Sequence, residues 1–195
     1  FLARILGALY FINNIDDKDL VARSRRSLIG NSVLFLVFFL SFVIRTLLAD
    51  GYAVNPETGE VFMEPYKYLT NFIEMPLVLV LFLIGVVLVL FGIGKSLLKT
   101  KFDKGIWFTG IGTVLAVLAL LLVAGYNNTA YYPSTNDLQS SLTLANSCSS
   151  QFTLRVMFYV SFLVPFVLAY IFYAWRSIDI HKISEKEMKD GGHAY

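Results

Sequence analysis

The chain has 195 residues, of which 56% are hydrophobic and only 15% charged, with a mean hydropathy of +0.64. Soluble domains carry about 25% charged residues, so a single soluble core is excluded. The formal charge of +2 is too small for a nucleic-acid binder, and the single Cys148 has no second thiol for a disulfide or a thiolate metal site.

Phe1 is not an initiator Met, and no signal-peptide pattern follows it, so the chain reads as a fragment or a processed form. Phe1 to Ile15 is a short apolar segment interrupted by Arg4 and closed by Asn13-Asn14. It reads as the cytoplasmic end of a truncated helix or as a short interfacial amphipathic helix. A charged stretch, Asp16 to Arg26, follows. Four runs then reach the ~20 residues that a hydrocarbon core about 30 Å thick requires of a helix. They are Leu28 to Leu48, Met75 to Gly94, Gly105 to Gly125 and Val156 to Trp175. At that depth no water satisfies backbone N–H and C=O groups, so such runs must be helical, and the alternation of barrel strands is absent. The fold class is therefore all-α: an integral membrane protein with a four-helix transmembrane bundle and a truncated N-terminal helix. Residues 1–26 form the helix end and a cytoplasmic connection, 27–176 the bundle, and 177–195 a cytoplasmic tail.

Positive charge near helix ends is retained in the cytoplasm. Of the 16 Lys and Arg residues, only Arg45, Lys67 and Arg155 fall on one side. The other thirteen, from Arg4 and Arg23 through Lys95, Lys99, Lys101 and Lys104 to Arg176, Lys182, Lys186 and Lys189, fall on the opposite side. Loops 49–74 and 126–155 thus face outward and both termini face the cytoplasm. Tyr52, Tyr66, Tyr68, Tyr126, Tyr131 and Tyr132 suit the outer interface, and Trp107, Tyr173 and Trp175 the inner one. Gly105, Thr109 and Thr113 at four-residue spacing, with Gly112 and Ala116, suggest close helix packing on the third span. Pro165, in the middle of the fourth, predicts a bend.

The candidate chemistry is sparse. Only His181 and His193 occur, both in the polar tail, so no membrane-embedded His is available for haem or metal. Met75 and Met157 are candidate axial ligands or, on the simpler reading, soft packing residues. Arg45, Glu74 and Arg155 map to the outer interface, as anchors, as an ion pair, or as contacts for a charged partner or a quinone headgroup. The spans contain no mid-membrane acid, which argues against a stand-alone pump. Asn127-Asn128-Thr129 matches a glycosylation acceptor pattern that chance explains adequately. Glu185 to Lys189 reads as a solvated helical face.

Tyr132-Pro133-Ser134-Thr135, Ser141-Leu142-Thr143, Asn146 to Ser150, Thr153-Leu154 and Met157 resemble the subunit II family of cytochrome bd quinol oxidases. Pro165, Leu168, Tyr170 and Tyr173 to Arg176 resemble that family's last helix, and Asp50-Gly51-Tyr52 an earlier outer loop. Gly7-Ala8-Leu9-Tyr10 and Arg23 to Arg26 are similar to its mid-chain cytoplasmic connection. The family chain has eight helices in two related halves, and these residues look like the C-terminal half with a stub of helix four.

The resemblance implies a haem-free membrane subunit of a bacterial inner-membrane terminal oxidase that oxidises quinol and reduces dioxygen to water. Its partner would be the haem-bearing subunit I. This chain would bind no cofactor with its own ligands, apart from a quinone or lipid, and would not be catalytic alone. No catalytic, metal or proton-channel residue is carried over. Glu74, Asn146, Ser149, Ser150 and Arg155 are expected to organise the outer loop or touch the partner. The rival readings are half of a small secondary transporter, which would show discontinuous helices around a polar midplane site, and a membrane anchor.

Overall fold

The computed structural model describes residues 1–99, 102–179 and 183–184. Lys101, His181, Lys182, the Glu185 to Lys189 stretch and His193 lie outside the described residues. Among the described residues four helices are long and apolar enough to cross a membrane, and the class is all-α apart from short strands in the loops.

The N-terminal segment is a helix, α1 (Leu2–Asn14), followed by a two-residue strand β1 (Ile15–Asp16) that pairs in parallel with β4 (Ile183–Ser184). Ile5, Leu9 and Ile12, at spacings of four and three, put one stripe of α1 into a buried cluster with Leu28, Val89 and Ile93. This stripe makes α1 an integral part of the packed core, which a helix lying on the membrane surface would not be.

Asp17 caps α2 (Lys18–Leu48), its carboxylate accepting from the Leu20 N–H at 2.8 Å. The first long helix therefore begins ten residues before the apolar run. Residues 18–26 are its first turns, because Arg and Lys are good helix formers and nothing after Asp17 breaks the helix. At 31 residues α2 is about 46 Å long, more than the hydrocarbon core needs. Its charged end projects beyond that core.

An antiparallel hairpin of β2 (Gly51–Val54) and β3 (Val61–Glu64) leads into α3 (Lys67–Glu74). After it, α4 (Pro76–Leu98) starts with Pro at its first position, where no N–H is needed, and α5 (Gly105–Gly125) has the bounds its apolar run predicts. These two helices form the tightest contact in the molecule. A Cβ on Gly85 would lie 2.6 Å from the Ala116 backbone nitrogen, and one on Gly112 would lie 2.6 Å from the Gly85 carbonyl oxygen. The buried face of α5 runs Gly105, Thr109, Gly112, Ala116, alternating steps of four and three. Thr113 lies beside it, half-buried, donating to its own helix at the Thr109 carbonyl. Lipid tails are as apolar as Leu, so what holds this pair is the van der Waals contact that small residues permit.

The carbonyls left over at the end of α4 find a cation. Arg25 of α2 donates to the Ser96 carbonyl, to that of Lys99 at 3.4 Å and to that of Phe102 at 3.3 Å. Lys95 lies over the Phe102 ring at 4.5 Å and the Phe91 ring at 4.9 Å.

Beyond a 3-10 turn (Leu138–Ser140) and the single-turn α6 (Leu144–Ser147), the last span is divided into α7 (Gln151–Ser161) and α8 (Val164–Asp179). Pro165 cannot donate to the Ser161 carbonyl, and just before it the ladder tightens. Phe162 donates to Tyr159 at 3.2 Å and Leu163 to Val160 at 2.9 Å. The expected bend is thus a break at 162–163. None of residues 151–177 is buried, and the packed bundle is built from α1, α2, α4 and α5. The last span meets it through an edge-on ring contact between Trp175 and Tyr10. The four spans expected from the sequence are present, and α1 packs with the first three of them.

Candidate functional site

One cluster of hydrogen-bonded polar side chains lies at the end of the bundle formed by loops 49–75 and 126–150. Asn127 and Asn128 follow α5 with φ of 56° and 53°, a left-handed conformation that Asn tolerates better than most residues. They turn the chain so that 128–130 runs along the hairpin, with Val54 donating to the Asn128 carbonyl at 2.8 Å and Ala130 to that of Tyr52 at 2.9 Å.

Beneath this seam lies Asn71, fully buried on α3. Its amide donates to the Val123 carbonyl and to Thr129 Oγ1, both at 2.8 Å, and its oxygen accepts from Asn127 at 3.1 Å. Three segments are tied together by one side chain, and each bond satisfies a group that burial would otherwise leave costly. The Asn127 amide also donates to Glu74. Lys67, with its side chain only 8% exposed, pairs with Glu64 at 3.3 Å. Gly51 packs on Lys67, and a Cβ there would sit 2.6 Å from the lysine Cβ, so the hairpin reaches α3 only because residue 51 has no side chain. The Tyr68 phenol has its pKa raised above 10.0, first by burial and then by the neighbouring Tyr52.

The second half of the cap is self-bonded. Gln139 makes a two-way bond with the Val61 backbone, 2.9 Å each way, in place of a neighbouring strand. Buried Ser141 accepts from the Ser134 N–H at 3.0 Å and donates to the Leu138 carbonyl at 2.6 Å.

The sequence candidates divide among these features. Asn146 completes a capping box with Thr143, accepting from its N–H at 2.8 Å, and donates to the Ser141 carbonyl at 2.9 Å. Ser150 caps α7, accepting from the Thr153 N–H at 3.3 Å. Glu74 is exposed at the end of α3 and bonded to Asn127. Ser149 and Arg155 are exposed, and neither makes a hydrogen bond or ion pair among the described residues. Glu74 and Arg155 do not pair. Sequence reasoning missed Asn71, Gln139 and Lys67. A polar residue on the apolar face of an eight-residue amphipathic helix was the available signal for Asn71, and the Asn127 to Thr129 pattern was the other half of the same cluster.

Redox ligation has little to build on here. Among the described residues no group of three His, Cys, Asp or Glu could hold a metal ion. Met75 packs against the cluster around Phe72 and Phe82, and Met157 is exposed on α7. One is a packing residue and the other faces outward, and no described histidine accompanies them, so these residues do not fit haem ligation. Cys148 is free and exposed.

Comparison with known proteins agrees with this picture of a membrane helix bundle. A family model described as cytochrome bd terminal oxidase subunit II matches residues 1–178. The chain is similar to the cytochrome bd-I ubiquinol oxidase subunit 2 of Escherichia coli strain K12, 32% identical over 136 residues, which is 69% of this chain and 34% of that protein. The same protein from E. coli O6:H1 strain CFT073 and from E. coli O157:H7 matches with the same figures. The match spans about a third of the length of these curated relatives. With a family match that runs from the first helix to the end of the last, the chain belongs to the cytochrome bd terminal oxidase subunit II family.

Proposed function

We propose that the chain forms part of a haem-free subunit of a bd-type quinol oxidase, set in the bacterial inner membrane with both termini cytoplasmic. It would hold the haem-bearing subunit while the complex oxidises quinol and reduces dioxygen to water. The single observation that carries this reading is the family match along residues 1–178. The sorting of Lys and Arg to one side supports the orientation, and the redox chemistry is assigned to the partner because Met75 and Met157 do not suit an iron.

The role is one of support. Gln151–Ser177 is apolar and without a buried residue, a surface that lipid or a second subunit can cover. Arg155, exposed near the start of that surface and unpaired among the described residues, is available to a carboxylate of the partner, with Glu74, Asn146, Ser149 and Ser150 along the same cap. An apolar crevice of about 210 Å³ lined by Phe35, Phe39, Leu90, Val117 and Leu120 suits a quinone tail or a lipid chain. Residues 1–26 and 177–195 would be the cytoplasmic portions around the bundle 27–176, with helical order continuing into 18–26. The break at 162–163 is not a transporter's polar midplane site, since Phe158, Phe162, Leu163, Val164 and Phe166 surround it in sequence.

Purification of the complex from its native membrane tests this reading. The expected result is fixed subunit stoichiometry, haem absorption that travels with the partner, and reduced association and haem retention in Arg155→Ala. Solute transport in vesicles by the chain without a haem-bearing partner would overturn it. Unchanged association in Arg155→Ala would remove Arg155 from the contact.

A further inference from the structure

Two arginines of the N-terminal helix pair face a groove that offers them no anion among the described residues. The stacked rings of Phe1 and Phe38 at one end and the short turn between Asn14 and Lys18 at the other make α1 and α2 antiparallel. Along their seam runs a groove of about 400 Å³ walled by Arg4 and Phe11 of α1 and by Leu20, Arg23, Ser24 and Ser27 of α2. Gly7 forms part of the α1 wall, with open space where a Cβ would be.

Neither Arg4 nor Arg23 has a hydrogen bond or ion pair among the described residues, and Asp19, one turn before Arg23, does not pair with it. Among the described residues no carboxylate lines the groove. Ser27 accepts from the Asn31 amide at 3.0 Å, which fixes its oxygen and leaves its proton to donate elsewhere. Ser27 is also the last residue before the apolar run that starts at Leu28. The groove therefore sits where α2 passes from its charged turns into hydrocarbon, at the level of lipid headgroups.

We propose that this groove binds the phosphate of an anionic phospholipid drawn from the surrounding bilayer. Arg4 and Arg23, both lining a groove that holds no carboxylate among the described residues, take the phosphate oxygens, because a guanidinium presents paired donors to such a group. Ser24 and Ser27 add hydroxyl donors. Phe11 and Leu20 wall the end nearer the turn, and the acyl chains leave toward Leu28 and the apolar run beyond it.

Native mass spectrometry of the protein purified in detergent, titrated with phosphatidylglycerol or phosphatidylcholine of matched acyl chains, tests it. Wild type should retain phosphatidylglycerol about tenfold better than phosphatidylcholine, and Arg4→Gln with Arg23→Gln should abolish that preference. Arg4→Lys with Arg23→Lys should keep most of it. So should Lys99→Gln with Lys104→Gln, which removes the same charge elsewhere. Equal retention of the two lipids would overturn the proposal, as would an unchanged preference in the Arg-to-Gln protein or an equal loss in the Lys-to-Gln protein. Displacement of the lipid by inorganic phosphate at equal concentration would show the wrong phosphate source and overturn it too. If the Arg-to-Gln protein does not fold, Ser24→Ala with Ser27→Ala reads the same groove and must lower phosphatidylglycerol retention.

Discussion

α5 and the last span are nearly equal in grease and opposite in packing. Their most apolar windows have mean hydropathies of 2.4 and 2.1, yet 28% of the first is buried within the chain and none of the second. Hydropathy decides only that a helix enters the bilayer. Once there, helices associate where small residues let backbones approach, as Gly85 and Gly112 do across α4 and α5. The last span carries Phe158, Phe162, Phe166, Tyr170 and Tyr173 instead, large side chains that have no hole to enter in this chain.

The sharpest way to break this comparison is to put a side chain into the α4 and α5 contact. Gly112→Leu forces a Cβ to 2.6 Å from the Gly85 carbonyl, and should cost about 3 kcal/mol or more in thermal unfolding of the detergent-solubilised protein. A smaller enlargement on the exposed helix, Ala169→Leu, should change stability by less than about 0.5 kcal/mol. If both substitutions cost the same, the two helices do not differ in the way described.

The capping cluster offers the next largest effect. Asn71→Ala leaves the buried Val123 carbonyl and Thr129 hydroxyl without their donor, and should cost about 2 kcal/mol, with faster hydrogen exchange in 51–54 and 128–130. At the other end, Arg25→Gln withdraws a cation from the Ser96, Lys99 and Phe102 carbonyls. Partly exposed, it should cost about 1 kcal/mol, read as a lowered unfolding temperature that added salt does not restore. The smallest effect is that of pH. Tyr68 has a folded pKa raised above 10.0, so its neutral form favours the folded cap. That contribution is complete below pH 10 and is lost as pH rises through the elevated value. Tyr68→Phe should flatten the alkaline loss of stability, and an unaltered alkaline limb would assign the loss to another group.

Parts of the cap were legible in advance for local reasons. Thr143 and Asn146 stand three apart before a helical turn, and Ser150 precedes Gln151; such caps close over three residues and need no distant partner. Asn127 meets Asn71 and Glu74 over separations of 56 and 53 residues, and no local pattern carries that information. Lys67 is similar, since its burial depends on Gly51 letting the hairpin down onto α3.

Length and apolarity alone determined that four of the described helices are able to cross a membrane, because hydrocarbon leaves the backbone no other way to bond itself. Residue type near the ends of those helices supplied the expected orientation, and Pro165 the break in the last of them. Which helices grip one another was decided only in three dimensions. Packing in lipid depends on the fit of opposed surfaces, and that fit gave the short helix α1 a place in the core while leaving the longer last span outside it.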